Sequence, residues 1–171
     1  MARITTVSES VVIAADAVTL YNTVSDPRNM ARWSPENTGA SLRAGDDGAA
    51  YLGMDFWGHN KRGIMSWATQ CIVTAADSGQ KFAFQVKGQR MGGREKARLA
   101  FDIARWEYTF EAADGGTKVT ETWIDTRSSS LFGRSSRMGD RLFIAGSTFP
   151  DHHRRNMRIT LDKLKAEAEA S

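Results

Sequence analysis

Two residues in this 171-residue sequence pair a titratable side chain with a position that would hold it away from water, Glu121 and His153. Glu121 stands two residues from Val119 and from Trp123 in a run with the period of a strand, so the three share a face. A lone carboxylate among aromatics is costly to keep charged, and desolvation raises its pKa towards the range useful for proton transfer. The same pattern allows two other outcomes, an arginine partner or a twist or bulge that carries the side chain to solvent. His153 lies one turn before Met157 in a helical run, where it could act as a general base, a polar anchor or a hydrogen-bonded residue at the helix boundary. His59 and Asn60 precede a turn, and the short amide of Asn60 could fix that turn or meet a ligand. Cys71 shares a face with Trp67 and Val73, which reads as a small buried hydrophobe rather than a reactive thiol.

Other chemistries lack their signatures. There is no glycine-rich phosphate loop, nucleophile elbow, Ser/His/Asp order or paired-carboxylate spacing. Three histidines and one cysteine without ligand spacing give no support for a metal, and no cofactor is expected.

The elements that must position Glu121 and His153 follow from periodicity. From Thr148 to Ala170 a helical pattern puts Pro150, His153, Met157, Thr160, Leu161, Leu164 and Ala168 on one stripe. Thr148 with Asp151 resembles a capping pair, and Pro150 falls in the first turn. Thr5 to Ile13 alternates as a strand; Asp16 and Asp26-Pro27 then cap two short helices that end near Trp33, and Ser34-Pro35-Glu36 breaks the helical pattern. Six more strands are expected at 40–43, 53–60, 64–75, 81–86, 104–111 and 117–127, separated by glycine and aspartate turns. Residues 87–102 and 128–146 read as loops.

Parity groups Trp106, Tyr108 and Phe110 on one face, with Val119, Glu121, Trp123 and Asp125 on the next strand. Trp67, Thr69, Cys71 and Val73 share a face in the same way, as do Phe82, Phe84 and Val86. One aromatic sheet face and one apolar helix stripe can cover each other, which gives an α+β chain with a bent antiparallel sheet of about seven strands around the C-terminal helix.

Composition limits the functional classes. With 41% hydrophobic residues and no segment near the ~20 apolar residues of a membrane span, the chain reads as one cytoplasmic domain without a signal peptide. The net charge of +3 and the arginines at 127–158 invite a nucleic-acid reading. Twenty acidic residues are spread through the same chain and the tryptophans lie away from the arginines, so no nucleic acid is expected. The basic surface and an outward Ile159 leave open a protein or membrane contact.

Taken together, the order of elements resembles the helix-grip fold of the START-like superfamily, and more narrowly its polyketide cyclase/dehydrase-related branch. The resemblance is carried by Val12-Ile13-Ala14-Ala15, Asp26-Pro27, Trp33-Ser34-Pro35-Glu36, the Gly53, Phe56, Gly58, Asn60 pattern before Trp67, and Phe82-Ala83-Phe84. It continues through Trp106-Glu107-Tyr108, Gly116-Thr117 with Val119-Thr120-Glu121, and Met157 with Thr160-Leu161 and Leu164-Lys165. Such proteins hold hydrophobic or amphipathic small molecules between sheet and helix, and a minority cyclise or dehydrate polyketide intermediates. The resemblance therefore implies a lipid- or polyketide-like ligand, a monomer or homodimer, and walls formed by Phe56, Asn60, Trp67, Phe84, Trp106, Tyr108, Trp123 and Met157. Glu121 and His153 are the candidates for acid/base work if the protein is an enzyme.

Overall fold

The computed structural model describes residues 5–92, 102–127 and 148–170. Alternating patterns in the sequence become β1 (Thr6–Ile13), β2 (Asn37–Leu42), β3 (Asp55–Arg62), β4 (Met65–Asp77), β5 (Lys81–Met91), β6 (Ala104–Ala113) and β7 (Gly116–Asp125). They form one antiparallel sheet in the order β1-β7-β6-β5-β4-β3-β2. The meander from β2 to β7 pairs each strand with its predecessor, and β1 closes against β7. Where β6 turns into β7, Gly116 has φ 143°, and a Cβ there would run into the Ile13 carbonyl. Glycine is required at that corner both for its backbone angle and for space.

Helix α1 (Ala17–Ser25) begins where Asp16 Oδ1 accepts the Thr19 N–H at 2.9 Å, and it buries Leu20, Tyr21 and Val24. The next turn, Pro27–Arg32, is a 3₁₀ helix capped by Asp26, whose Oδ1 accepts the Arg28 N–H at 3.0 Å. The long helix α2 (Phe149–Glu169) starts at Thr148, whose Oγ1 accepts the Asp151 N–H at 3.3 Å. Its apolar stripe lies on the concave face of the sheet, so the fold is the helix grip that the order of elements implies.

The two halves of α2 meet different surroundings. Leu161 and Leu164 pack into the main core with Ile13, Leu20, Tyr21, Val24, Phe110 and Val119. Nearer its start, Met157 joins a smaller cluster with Val7, Ala104 and Trp123. Polar contacts fix both flanks: Arg154 and Arg158 reach Glu9 on β1, and Trp33 Nε1 donates to Glu167 Oε2 at 3.1 Å.

The structure corrects one expectation. β5 runs on to Met91, so residues 87–91 are strand and not loop. The second of the two expected short helices is a 3₁₀ helix of six residues that ends just before Trp33. Residues 93–101 of the expected loop, and all of 128–146, lie outside the described residues.

Candidate functional site

Register sets the chemistry of the concave face. One row across it is Val7, Trp123, Trp106, Phe84 and Val73, each directly opposite the next on neighbouring strands. The adjacent row, two residues along, is Glu9, Glu121, Tyr108 and Phe82. Same-face residues two apart lie about 7 Å from each other. An aromatic row thus runs beside a row that carries two carboxylates and a phenol.

Between these rows and the first half of α2 lies a cavity of about 560 Å³. All ten residues singled out from the sequence line it: Phe56, Asn60, Trp67, Phe84, Trp106, Tyr108, Glu121, Trp123, His153 and Met157. Its size and its mostly apolar wall with a few convergent polar groups are those of a small-molecule site. Phe56 and Phe84 meet edge to face at 5.5 Å, and Phe82 stacks towards Tyr108 at 6.4 Å. Asn60 donates to the Gly58 carbonyl at 3.3 Å, so its amide also braces β3.

Glu121 is 4% exposed, and among the described residues no arginine pairs with it. Its Oε1 accepts the Tyr108 hydroxyl at 2.7 Å, and its Oε2 has no hydrogen-bond partner among the described residues. Burial pushes the carboxyl up to about 8, a rise that the Tyr108 bond only partly offsets. Burial, followed by the nearby Glu121, also raises the Tyr108 phenol well above its ordinary value. At neutral pH this pair is a protonated acid beside a neutral phenol.

His153 sits in an aromatic cage, its ring 4.5 Å from Trp123, 5.2 Å from Trp106 and 5.4 Å from Phe149. Among the described residues no hydrogen bond reaches its ring nitrogens. Burial lowers its pKa to about 3, with His152, Arg62 and Arg127 pushing the same way and Glu36 opposing. The imidazole is therefore neutral, and one ring nitrogen keeps a lone pair that can accept a hydrogen bond. With Trp123 between them, Glu121 and His153 present one hydrogen-bond donor and one hydrogen-bond acceptor to the same cavity.

A second polar group escaped the sequence reading. Arg62 Nε donates to Glu36 Oε1 at 2.5 Å and its Nη2 to Oε2 at 3.1 Å, while its guanidinium lies 5.3 Å from the Trp67 ring. His152 Nε2 is 3.0 Å from Glu36 Oε1 and 3.1 Å from both Arg62 Nη2 and Asn156 Nδ2. This clasp joins the β2–β3 edge of the sheet to the first turns of α2. Burial alone would raise Glu36, but the His152 and Arg62 bonds outweigh it and hold the carboxyl at about 2. Arg127 pairs with the buried carboxylate of Asp125 at 2.8 Å and lies 5.6 Å from the Phe149 ring. Glu36, Arg62, Asn156 and Arg127 all line the cavity, as does Gln89. A bulge opposite Gln70 and Cys71 turns Gln89 inwards, which simple alternation along β5 does not predict.

Among the described residues no cluster of His, Cys, Asp and Glu could hold a metal ion, and no helix is long and apolar enough to cross a membrane.

A bent antiparallel sheet gripping a C-terminal helix over an aromatic cavity defines a START-like, helix-grip chain. The family model described as polyketide cyclase / dehydrase and lipid transport matches residues 5–169, and the chain belongs to that family. Solved structures agree on the fold. The polyketide cyclase-like protein Cgl2372 from Corynebacterium glutamicum is 23% identical, with a TM-score of 0.56 over 99% of this chain and 94% of that one. Protein CV1439 from Chromobacterium violaceum, at 14% identity, has a TM-score of 0.63 over 96% and 98% of the two chains. Protein Ms6760 from Mycobacterium smegmatis, at 16% identity, has a TM-score of 0.62 over 96% and 91%. No curated protein matches the sequence.

Proposed function

We propose that this protein binds a hydrophobic or amphipathic small molecule, lipid- or polyketide-like, in the cavity between the sheet and the first half of α2. The observation that carries this reading is a volume of about 560 Å³ walled by Trp67, Phe84, Trp106, Trp123 and Met157, with polar groups gathered at a few points. Stacking on those rings favours a planar ligand, and the polar groups favour one that carries oxygen. Native mass spectrometry of protein purified from its host tests it directly, since a retained ligand names the class. Planar aromatic ligands should also quench tryptophan fluorescence, and replacing Trp106 or Met157 should weaken them. Absence of quenching by every planar ligand tried, with no retained mass, overturns the reading.

A second reading, a cyclase- or dehydratase-type enzyme, is favoured by one observation: a protonated Glu121 and a neutral His153 share the cavity. Such a pair can enolise or dehydrate a bound polyketide by general acid/base work. Glu121→Gln and His153→Gln separate the two readings. A carrier loses little more than one hydrogen bond of binding, up to about 1.5 kcal/mol, and less where the amide replaces the lost donor. An enzyme loses turnover by about a hundredfold or more with binding largely kept. We place the protein in the cytoplasm as a monomer or homodimer, which cell fractionation and light scattering check.

A further inference from the structure

Glu121 and Glu9 are direct partners across β7 and β1, so their side chains start from the same face. The two arginines that α2 brings to this row both turn to Glu9, Arg154 at 3.4 Å and Arg158 at 3.2 Å. Among the described residues no cation pairs with Glu121. Its Oε1 is taken by the Tyr108 hydroxyl on β6, and the remaining oxygen, on a side chain 4% exposed, has no partner among the described residues. α2 also contributes the buried Thr160 to the lining of the same cavity.

Proton placement follows from that geometry. With Oε1 accepting the Tyr108 hydroxyl, whose oxygen also lies 3.6 Å from Met30 Sδ, an un-ionised Glu121 carries its proton on Oε2, on a side chain that lines the cavity. A buried donor without an acceptor is unfavourable, so a ligand that supplies an acceptor at this point gains more than the contact area alone would give. The acceptor should be uncharged, because the two arginines of α2 that could offset an anion are both engaged by Glu9.

We infer that Oε2 of Glu121 is the donor for a neutral carbonyl oxygen of the ligand, so that the cavity selects ketone-, quinone- or lactone-type compounds over hydrocarbons of the same shape. The inference rests on the cavity being the ligand site. A carboxyl held near 8 supplies the donor through neutral pH and withdraws it in alkali.

Fluorene and 9-fluorenone are a matched pair of planar probes that differ by one carbonyl, and dissociation constants come from the midpoints of tryptophan-fluorescence titrations. At pH 6 fluorenone should bind about tenfold tighter than fluorene, the worth of one well-placed hydrogen bond. The preference should fade above about pH 8. Glu121→Gln, whose amide also donates, should keep the preference and lose its alkaline fall. Glu121→Leu should bind both probes alike, and if that variant does not fold, the wild-type pH profile and the glutamine variant carry the test. Equal affinities at pH 6, or a preference that survives in Glu121→Leu, overturn the carbonyl-donor inference and leave the cavity as a ligand site. If neither probe binds, the cavity reading and the inference fall together.

Discussion

Glu9 and Glu121 face one another across β1 and β7, yet α2 gives two arginines to the first and none to the second. Two carboxylates in one row are thereby sent to different roles: Glu9 ties the helix to the sheet, and Glu121 stays in the cavity beside Tyr108. Environments that separate paired acids in this way are a common source of groups suited to proton exchange.

Stability should fall with pH because of Glu121. Its folded pKa of about 8 lies above the ordinary 4.5, so the folded state holds a proton that the unfolded state has lost. The contribution is complete below pH 4.5 and disappears as pH rises through about 8, at up to about 1.4 kcal/mol per pH unit. Glu121→Gln cannot lose that proton. Denaturant midpoints of the variant should therefore gain on the wild type between pH 5 and 9, and parallel curves would contradict the assignment.

Glu36 acts in the opposite sense. Its folded pKa of about 2 lies below the ordinary 4.5, so its stabilisation is present above pH 4.5 and lost as pH falls towards 2. Glu36→Gln should cost about 1 to 3 kcal/mol at pH 7, the usual price of breaking a charged hydrogen-bonded pair. The gap between the two proteins should close in acid unfolding curves below pH 4.5.

Leu161→Ala and Leu164→Ala should each cost about 2 to 5 kcal/mol, because each leucine is 2% exposed or less and packs against both α1 and the sheet. Unchanged denaturant midpoints would refute the core placement.

His153 should stay neutral well below the ordinary imidazole range. Of the three histidine ring signals in a proton NMR titration, that of His153 should not move between pH 8 and 5, since burial lowers its pKa to about 3. The stability this neutral form contributes is present above pH 6.5 and lost as pH falls towards 3. A signal titrating near 6.5 would place the ring in water.

Cys71, the one cysteine of the chain, is buried with its thiol pushed up to about 12 by desolvation. A disulfide reagent should leave the folded protein unmodified and label one thiol once it unfolds.

Periodicity made much of this legible in advance. Alternation placed Trp106, Tyr108, Glu121 and Trp123 on one face, and the sheet's regular register across β6 and β7 then brought them together. The clasp was not legible, because Glu36 lies 26 residues from Arg62 and 116 from His152, and no repeat links such distances. Gln89 was hidden for a different reason: residues 87–102 read as a loop, and even along the longer β5 a bulge shifts parity before Gln89. The Tyr108–Glu121 bond depended on exact strand register, which the Asp114-Gly115-Gly116 turn decides and composition does not.

The division of α2 between a packed half and a cavity half has an evolutionary consequence. Residues 153, 156 and 157 can be exchanged where they meet a ligand, while Leu161 and Leu164, one to two turns further on, keep the helix seated. A library that randomises His153, Asn156 and Met157 and fixes the two leucines should yield mostly folded members that differ in what they bind. New specificities can then arise on this scaffold by a few substitutions within two turns of a single helix.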